Sequence, residues 1–241
     1  MVEYGRGAFT RIGKDNGSRY YEYILGKPLD GSSKDRDVNY LGVNLGVKAI
    51  QRRINSYGYS PILTEDGKLG AKTKSAIAWI QKKLSPGLAA RNKPGLSSDG
   101  TAGPYTCREL WRDLITWYAA VHGVPPEHLW GMMAVESAFD PGAVGYTTPT
   151  DRGLTQINLS AHPNITVDQA YDPWFAIDYT AGRLANARRN FSGKGQALQT
   201  LCSIAQHNAP AWAASWYTNG VAPNEKIALY VENVLRASGG Y

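Results

Sequence analysis

Residues 136–158, ESAFDPGAVGYTTPTDRGLTQIN, place two carboxylic acids fifteen positions apart in unlike settings. Glu136 closes the apolar stretch EHLWGMMAVE. Separations of three, four and seven put Leu129, Met132, Met133 and Glu136 on one helical face. A carboxylate on an apolar stripe is costly when charged, so burial raises its pKa. The negative end of the helix dipole acts in the same direction. Both effects keep a proton on Glu136, as a general acid requires. The plain alternative is a buried glutamate paired with an arginine. Asp151 stands beside Arg152 among hydroxyl side chains, a polar setting that leaves it ionised. Two carboxyl groups pushed apart in pKa are the acid and the nucleophile or stabiliser of glycosidic bond cleavage.

The elements that must hold this pair read as helices. Pro125 and Pro126 open the helix carrying Glu136. Asp172 caps the next, with Pro173 at its first position. GQALQTLCSIAQHN, APAWAASWYTNG and PNEKIALYVENVLRAS follow, separated by Gly, Pro and Asn. Six tryptophans fall in this half (Trp111, Trp117, Trp130, Trp174, Trp212 and Trp216). Most are expected in the core, and a few lining a cleft would suit the apolar faces of sugar rings. The chain is expected to be mainly α.

Upstream lies an internal repeat. AIQRRINSYGY and WIQKKLSPGL each read as an amphipathic helix with a basic pair after Ile-Gln, and each leads to the pattern D-G-x-x-G-x-x-T. The copies are Asp66, Gly67, Gly70, Thr73 and Asp99, Gly100, Gly103, Thr106. Asp-Gly makes a tight turn with Gly at positive φ. The second Gly is expected to allow a close backbone approach, and the Thr or the residue before it to cap a helix. Two copies are too few for a solenoid, and D-x-D-x-D-G calcium spacing is absent. The doubled motif resembles the peptidoglycan-binding domain family, a small three-helix module, over roughly residues 40–110. The resemblance implies that these eight motif residues serve wall binding. Ala71 stands where that family often has Pro, and the second copy carries the insert SPGLAARNKPGLSS.

ESAFDP followed by GLTQIN resembles the lysozyme-like superfamily, particularly soluble lytic transglycosylases and goose-type lysozymes, over roughly residues 110–237. Glu136 matches the catalytic acid of E-S-x-[FW]-x-P, and Gly153, Leu154, Gln156 and Ile157 match G-L-x-Q-[IV]. AQHNAP resembles the third motif, A-Y-N, with His207 in place of Tyr and Asn208 matching Asn. DRGLTQIN also resembles a segment of chicken-type lysozymes, which puts Asp151 at the second catalytic carboxylate. These resemblances imply an α+β lysozyme-like domain dominated by helices. They imply a muramidase that cuts the β-1,4 bond between N-acetylmuramic acid and N-acetylglucosamine, with Asp151 stabilising or attacking the anomeric carbon. The alternatives are a lytic transglycosylase giving 1,6-anhydro ends and a non-catalytic wall-binding protein. Ser137, Gln156, Asn158, His207 and Asn208 are the expected sugar-binding residues; for His207 a packing role is the alternative. No metal or other cofactor is expected.

The expected organisation is an irregular lead-in over 1–40, the binding module over 41–110 and the catalytic domain over 111–241. Residues 1–110 hold 18 Lys+Arg against 10 Asp+Glu, and residues 111–241 hold 8 against 10. The basic half suits an anionic partner, here bacterial peptidoglycan; without a stacked-aromatic signature, nucleic acid is not expected. His122, His128, His162 and His207 form no H-E-x-x-H pattern, against a zinc amidase. Cys107 and Cys202 read as buried thiols, against a cysteine nucleophile. No apolar stretch is long enough to span a membrane, and the first residues lack the apolar core of a signal peptide. The organisation resembles phage endolysins, which are made in the host cytoplasm and released through a holin-type lesion. A monomer is expected.

Overall fold

A computed structural model describes residues 44–145 and 150–241. The lead-in expected over 1–40 lies outside the described residues. The elements, in order, are α1 (Leu45–Ser56), α2 (Ala71–Ala89), α3 (Pro104–His122), α4 (Pro126–Glu136), β1 (Asp151–Arg152) and β2 (Ile157–Asn158), then α5 (Val167–Tyr171), α6 (Pro173–Asn190), α7 (Gln196–Asn208), α8 (Pro210–Asn219) and α9 (Glu225–Ser238). The fold is mainly α, with one two-stranded antiparallel sheet pairing Asp151 with Asn158 and Arg152 with Ile157. No helix among the described residues is long and apolar enough to cross a membrane.

The first three helices carry the repeat, and its two copies are built alike. Gln51 of α1 and Gln81 of α2 are buried. The Gln51 amide nitrogen donates to Asp66 Oδ1 (2.9 Å), the Lys68 carbonyl (3.2 Å) and Thr73 Oγ1 (3.0 Å), while its oxygen accepts from Gly67 N (2.8 Å). Gln81 does the same with Asp99 Oδ1 (3.0 Å), the Thr101 carbonyl (2.9 Å), Thr106 Oγ1 (3.1 Å) and Gly100 N (3.1 Å). A glutamine amide offers donors and an acceptor at one end, so each Gln gathers a whole turn. The hydrogen bond from Gln51 also holds the Asp66 carboxyl below its ordinary pKa.

Two expectations change here. Gly67 and Gly100 have positive φ (68° and 74°), but Gly70 and Gly103 do not. Gly70 and Gly103 face open space and serve as extended N-caps of α2 and α3 without a side-chain cap. The threonines sit inside the first turns, bonded to the glutamines. The eight motif residues therefore shape two turns, held from within by Gln51 and Gln81, with Gly70 and Asp99 at the surface. In addition, α2 continues through Pro86, because buried Leu88 anchors its last turn.

The two halves share one core. Arg53, itself buried, donates from Nε to the Leu110 carbonyl (2.8 Å) and pairs with Asp113. Arg52 bridges to Asp172 (2.8 Å) and lies over Trp174. α3 runs unbroken across residue 110 and packs on α6. Trp111, Trp130 and Trp216 are buried and Trp174 is partly so, whereas Trp117 and Trp212 are exposed. Cys107 and Cys202 are buried free thiols.

The closest helix pairing sets up the site. α4 and α9 meet at Gly131, where a Cβ would lie 2.3 Å from the Val234 carbonyl oxygen. Only a hydrogen fits there, so α9 rests directly on the backbone of α4. That approach carries Tyr230, one turn before Val234, to the end of α4.

Candidate active site

Glu136 is the last residue of α4, above buried Leu129, Met132 and Met133. The chain then leaves the helix through Ala138 and Phe139 at φ 52° and 67°. Left-handed backbone at non-glycine residues costs roughly 1–3 kcal/mol each and persists where the surroundings impose it. Here the surroundings are visible. Phe139 is buried with its ring 4.5 Å from Trp130, and its carbonyl accepts from Trp111 Nε1 (3.1 Å). Asp140, held up near 6 by burial, accepts from Gly142 N (2.8 Å) and closes the turn.

The Glu136 side chain is 14 % exposed, enclosed yet reachable. Tyr230 donates its hydroxyl proton to Glu136 Oε1 at 2.7 Å. Burial raises the Glu136 pKa to about 7, the Tyr230 hydrogen bond pulls it down, and the charge of Asp151 pushes it up. Tyr230 is held well above its ordinary pKa by burial and by Glu136, so it stays a donor. His207 Nε2 lies 3.7 Å from Glu136 Oε1. The two do not form an ion pair: burial and Arg183 lower the His207 pKa to about 4. Between about pH 4 and 7 both groups are neutral. The His207 Nε2 hydrogen goes to the Thr155 carbonyl (3.0 Å), since a carbonyl can only accept.

The β1–β2 hairpin positions the second acid. Asn158 donates from Nδ2 to Asp151 Oδ1 (2.7 Å), and its own Oδ1 accepts from Ala161 N (2.8 Å). Gln156, at φ 51°, donates from Nε2 to the Ala143 and Gly153 carbonyls (3.2 and 2.9 Å). Ser137 is buried and donates to the Leu154 carbonyl (2.7 Å), tying the end of α4 to the hairpin. The amide nitrogens of Gln156 and Asn158 and the Ser137 hydroxyl are thus engaged within the protein, where they position the hairpin and the end of α4. Asn208, at the end of α7, is exposed.

Thus Glu136, Tyr230 and His207 meet at one carboxyl oxygen, and Asp151 acts on it through its charge. Tyr230 was not identified from the sequence. It lies 94 residues from Glu136, and the only local signal is its place on the buried stripe of Ile227, Tyr230, Val231 and Val234. Gln51 and Gln81 were likewise passed over as ordinary helix positions.

Residues 44–86 match the family model for a putative peptidoglycan binding domain, and residues 113–225 match that of the transglycosylase SLT domain. No curated protein matches the chain. The two domain matches support a peptidoglycan-degrading lytic enzyme with peptidoglycan as its ligand.

Proposed function

We propose that this chain cuts peptidoglycan glycan strands at the β-1,4 bond between N-acetylmuramic acid and N-acetylglucosamine, with Glu136 as the acid. The observation that carries this reading is the enclosed Glu136 carboxyl, raised to about 7 and fixed by Tyr230. Its proton goes to the leaving glycosidic oxygen as the C1–O bond breaks, and the sugar passes through an oxocarbenium-like state. A pKa near neutrality lets the same carboxylate then take a proton from the incoming hydroxyl.

The acceptor we favour is the muramyl 6-hydroxyl, giving 1,6-anhydro ends, because the catalytic half matches a transglycosylase model. Hydrolysis, given first place by the sequence reading, is the second possibility. It is favoured by Asp151, whose carboxylate is held by Asn158 and is felt at Glu136. The repeat module holds the enzyme on the wall, in keeping with the basic N-terminal half. Release from a phage-infected cell is part of the same proposal, resting on the resemblance to endolysins.

Purified walls and mass spectrometry test this reading. Wild type is expected to clear the walls and release anhydro-ended muropeptides; reducing ends would establish hydrolysis in their place. Glu136→Gln is expected to bind walls with turnover reduced by about 10²–10⁴. Clearing at the wild-type rate by that variant would remove Glu136 from the role.

A further inference from the structure

The insert of the second repeat builds a groove. A cavity of about 660 Å³ lies between the end of α2, residues 93–99 and the start of α3. All of its lining except Gln81 falls between the two family matches. The insert is pinned from below by Ser85 Oγ, which accepts from Leu96 N (3.0 Å). The walls combine apolar surface from Leu88, Pro94, Leu96 and Tyr105 with two cations, Lys93 and Arg108.

The charge is built in. The only acid in the lining, Asp99, is already held by Gln81 and by Thr101 N (2.8 Å). Beside the groove, buried Glu109 gathers three guanidinium groups, from Arg91, Arg108 (3.1 Å) and Arg112 (3.0 Å). One carboxylate cannot neutralise three cations, so the cluster keeps a positive excess. Arg108 carries it to the groove, lying over the Tyr105 ring at 4.8 Å. In the first repeat the positions matching Arg108 and Glu109 are Ser75 and Ala76, so this chemistry belongs to the second copy alone.

We propose that this groove binds the peptide stems of peptidoglycan. A stem carboxylate sits against Lys93 and Arg108, and the aliphatic part of the stem lies on Tyr105, Pro94 and Leu96. This rests on the reading of the chain as a wall binder. Glycan alone has no carboxylate beyond the lactyl group that carries the stem. A glycerol phosphate polymer has no apolar side chains to cover the leucine and proline surface.

The test uses the full chain with Glu136→Gln, so that walls stay intact. Calorimetry compares the stem tetrapeptides L-Ala–γ-D-Glu–X–D-Ala, with X lysine or diaminopimelate, with their C-terminal amides, the peptide-free disaccharide and a glycerol phosphate polymer. At least one tetrapeptide acid is expected to bind. Lys93→Glu and Tyr105→Ala, both at solvent-accessible positions, are each expected to weaken it at least tenfold at unchanged Tm. Binding that neither variant alters, binding of no tetrapeptide, or a Lys93-dependent response to the phosphate polymer alone would overturn the proposal. Co-sedimentation with insoluble walls separates the two levels. If the unaltered groove fails to sediment, the wall-binding reading falls. If it and Lys93→Glu sediment equally, only the groove assignment falls.

Discussion

The repeat turns and the active site solve opposite problems with the same kinds of groups. In each repeat turn a buried glutamine meets its partners fully, and the left-handed positions fall on Gly67 and Gly100. At the site, left-handed backbone falls on Ala138, Phe139 and Gln156, a carboxyl is buried, and a histidine is kept neutral. The turns are locally consistent and therefore stable. The site carries strain and shifted protons that the shared core must hold in place.

The largest stability effect should come from the turns. Gln51→Leu takes one partner each from Asp66, Gly67, the Lys68 carbonyl and Thr73, and at about 1 kcal/mol for each lost bond a loss of about 4 kcal/mol is expected in denaturant unfolding. The Glu136 titration should be unmoved; a shifted pH–rate profile would show the two regions to be more tightly coupled than their geometry implies.

Gly131→Ala strikes the joint between scaffold and site. Its methyl would press on the Val234 carbonyl, an overpacking worth roughly 1–3 kcal/mol. Because α9 carries Tyr230, activity should fall more than stability accounts for, as kinetics at matched folded fraction would reveal. Tyr230→Phe is gentler, at about 1 kcal/mol for one hydrogen bond. It removes a donor that favours the charged form of Glu136, so the pKa should rise and the alkaline limb of the pH–rate profile should move upward.

A further effect, confined to acid pH, concerns stability. The His207 pKa is depressed, so the unfolded chain binds a proton that the folded one refuses. Stability is then full above the ordinary histidine pKa of 6.5 and declines as pH falls toward about 4. Glu136 has the opposite sign: its pKa is raised from 4.5, so its contribution is best below 4.5 and is lost as pH rises through about 7. His207→Gln should flatten the acid limb of a Tm-versus-pH curve and leave the alkaline limb in place.

What the sequence made legible follows the same division. The helix under Glu136, the Asp172–Pro173 start of α6 and the Asp-Gly turns rest on spacing within a dozen residues, and short-range spacing is what a single sequence displays. Tyr230 and the inward hydrogen bonds of Ser137, Gln156 and Asn158 depend on which helix lands on which, and no local pattern encodes that. The second-repeat groove was hidden for another reason: its residues are divided between an insert that looks like an interruption of the motif and the turn and helix start that follow it.

The helix common to both halves has a bearing on how such wall-degrading enzymes can be recombined. Thr106 and Cys107 near the start of α3 belong to the binding module's last turn, while Trp111 in the same helix grips the backbone just beyond Glu136. A chimera spliced at residue 110 would sever that strut and loosen the catalytic turn even with every active-site side chain retained. A graft that keeps α3 whole on the catalytic side, joined at the extended Gly103 that precedes it, would let the rest of the binding head be exchanged with that grip left standing.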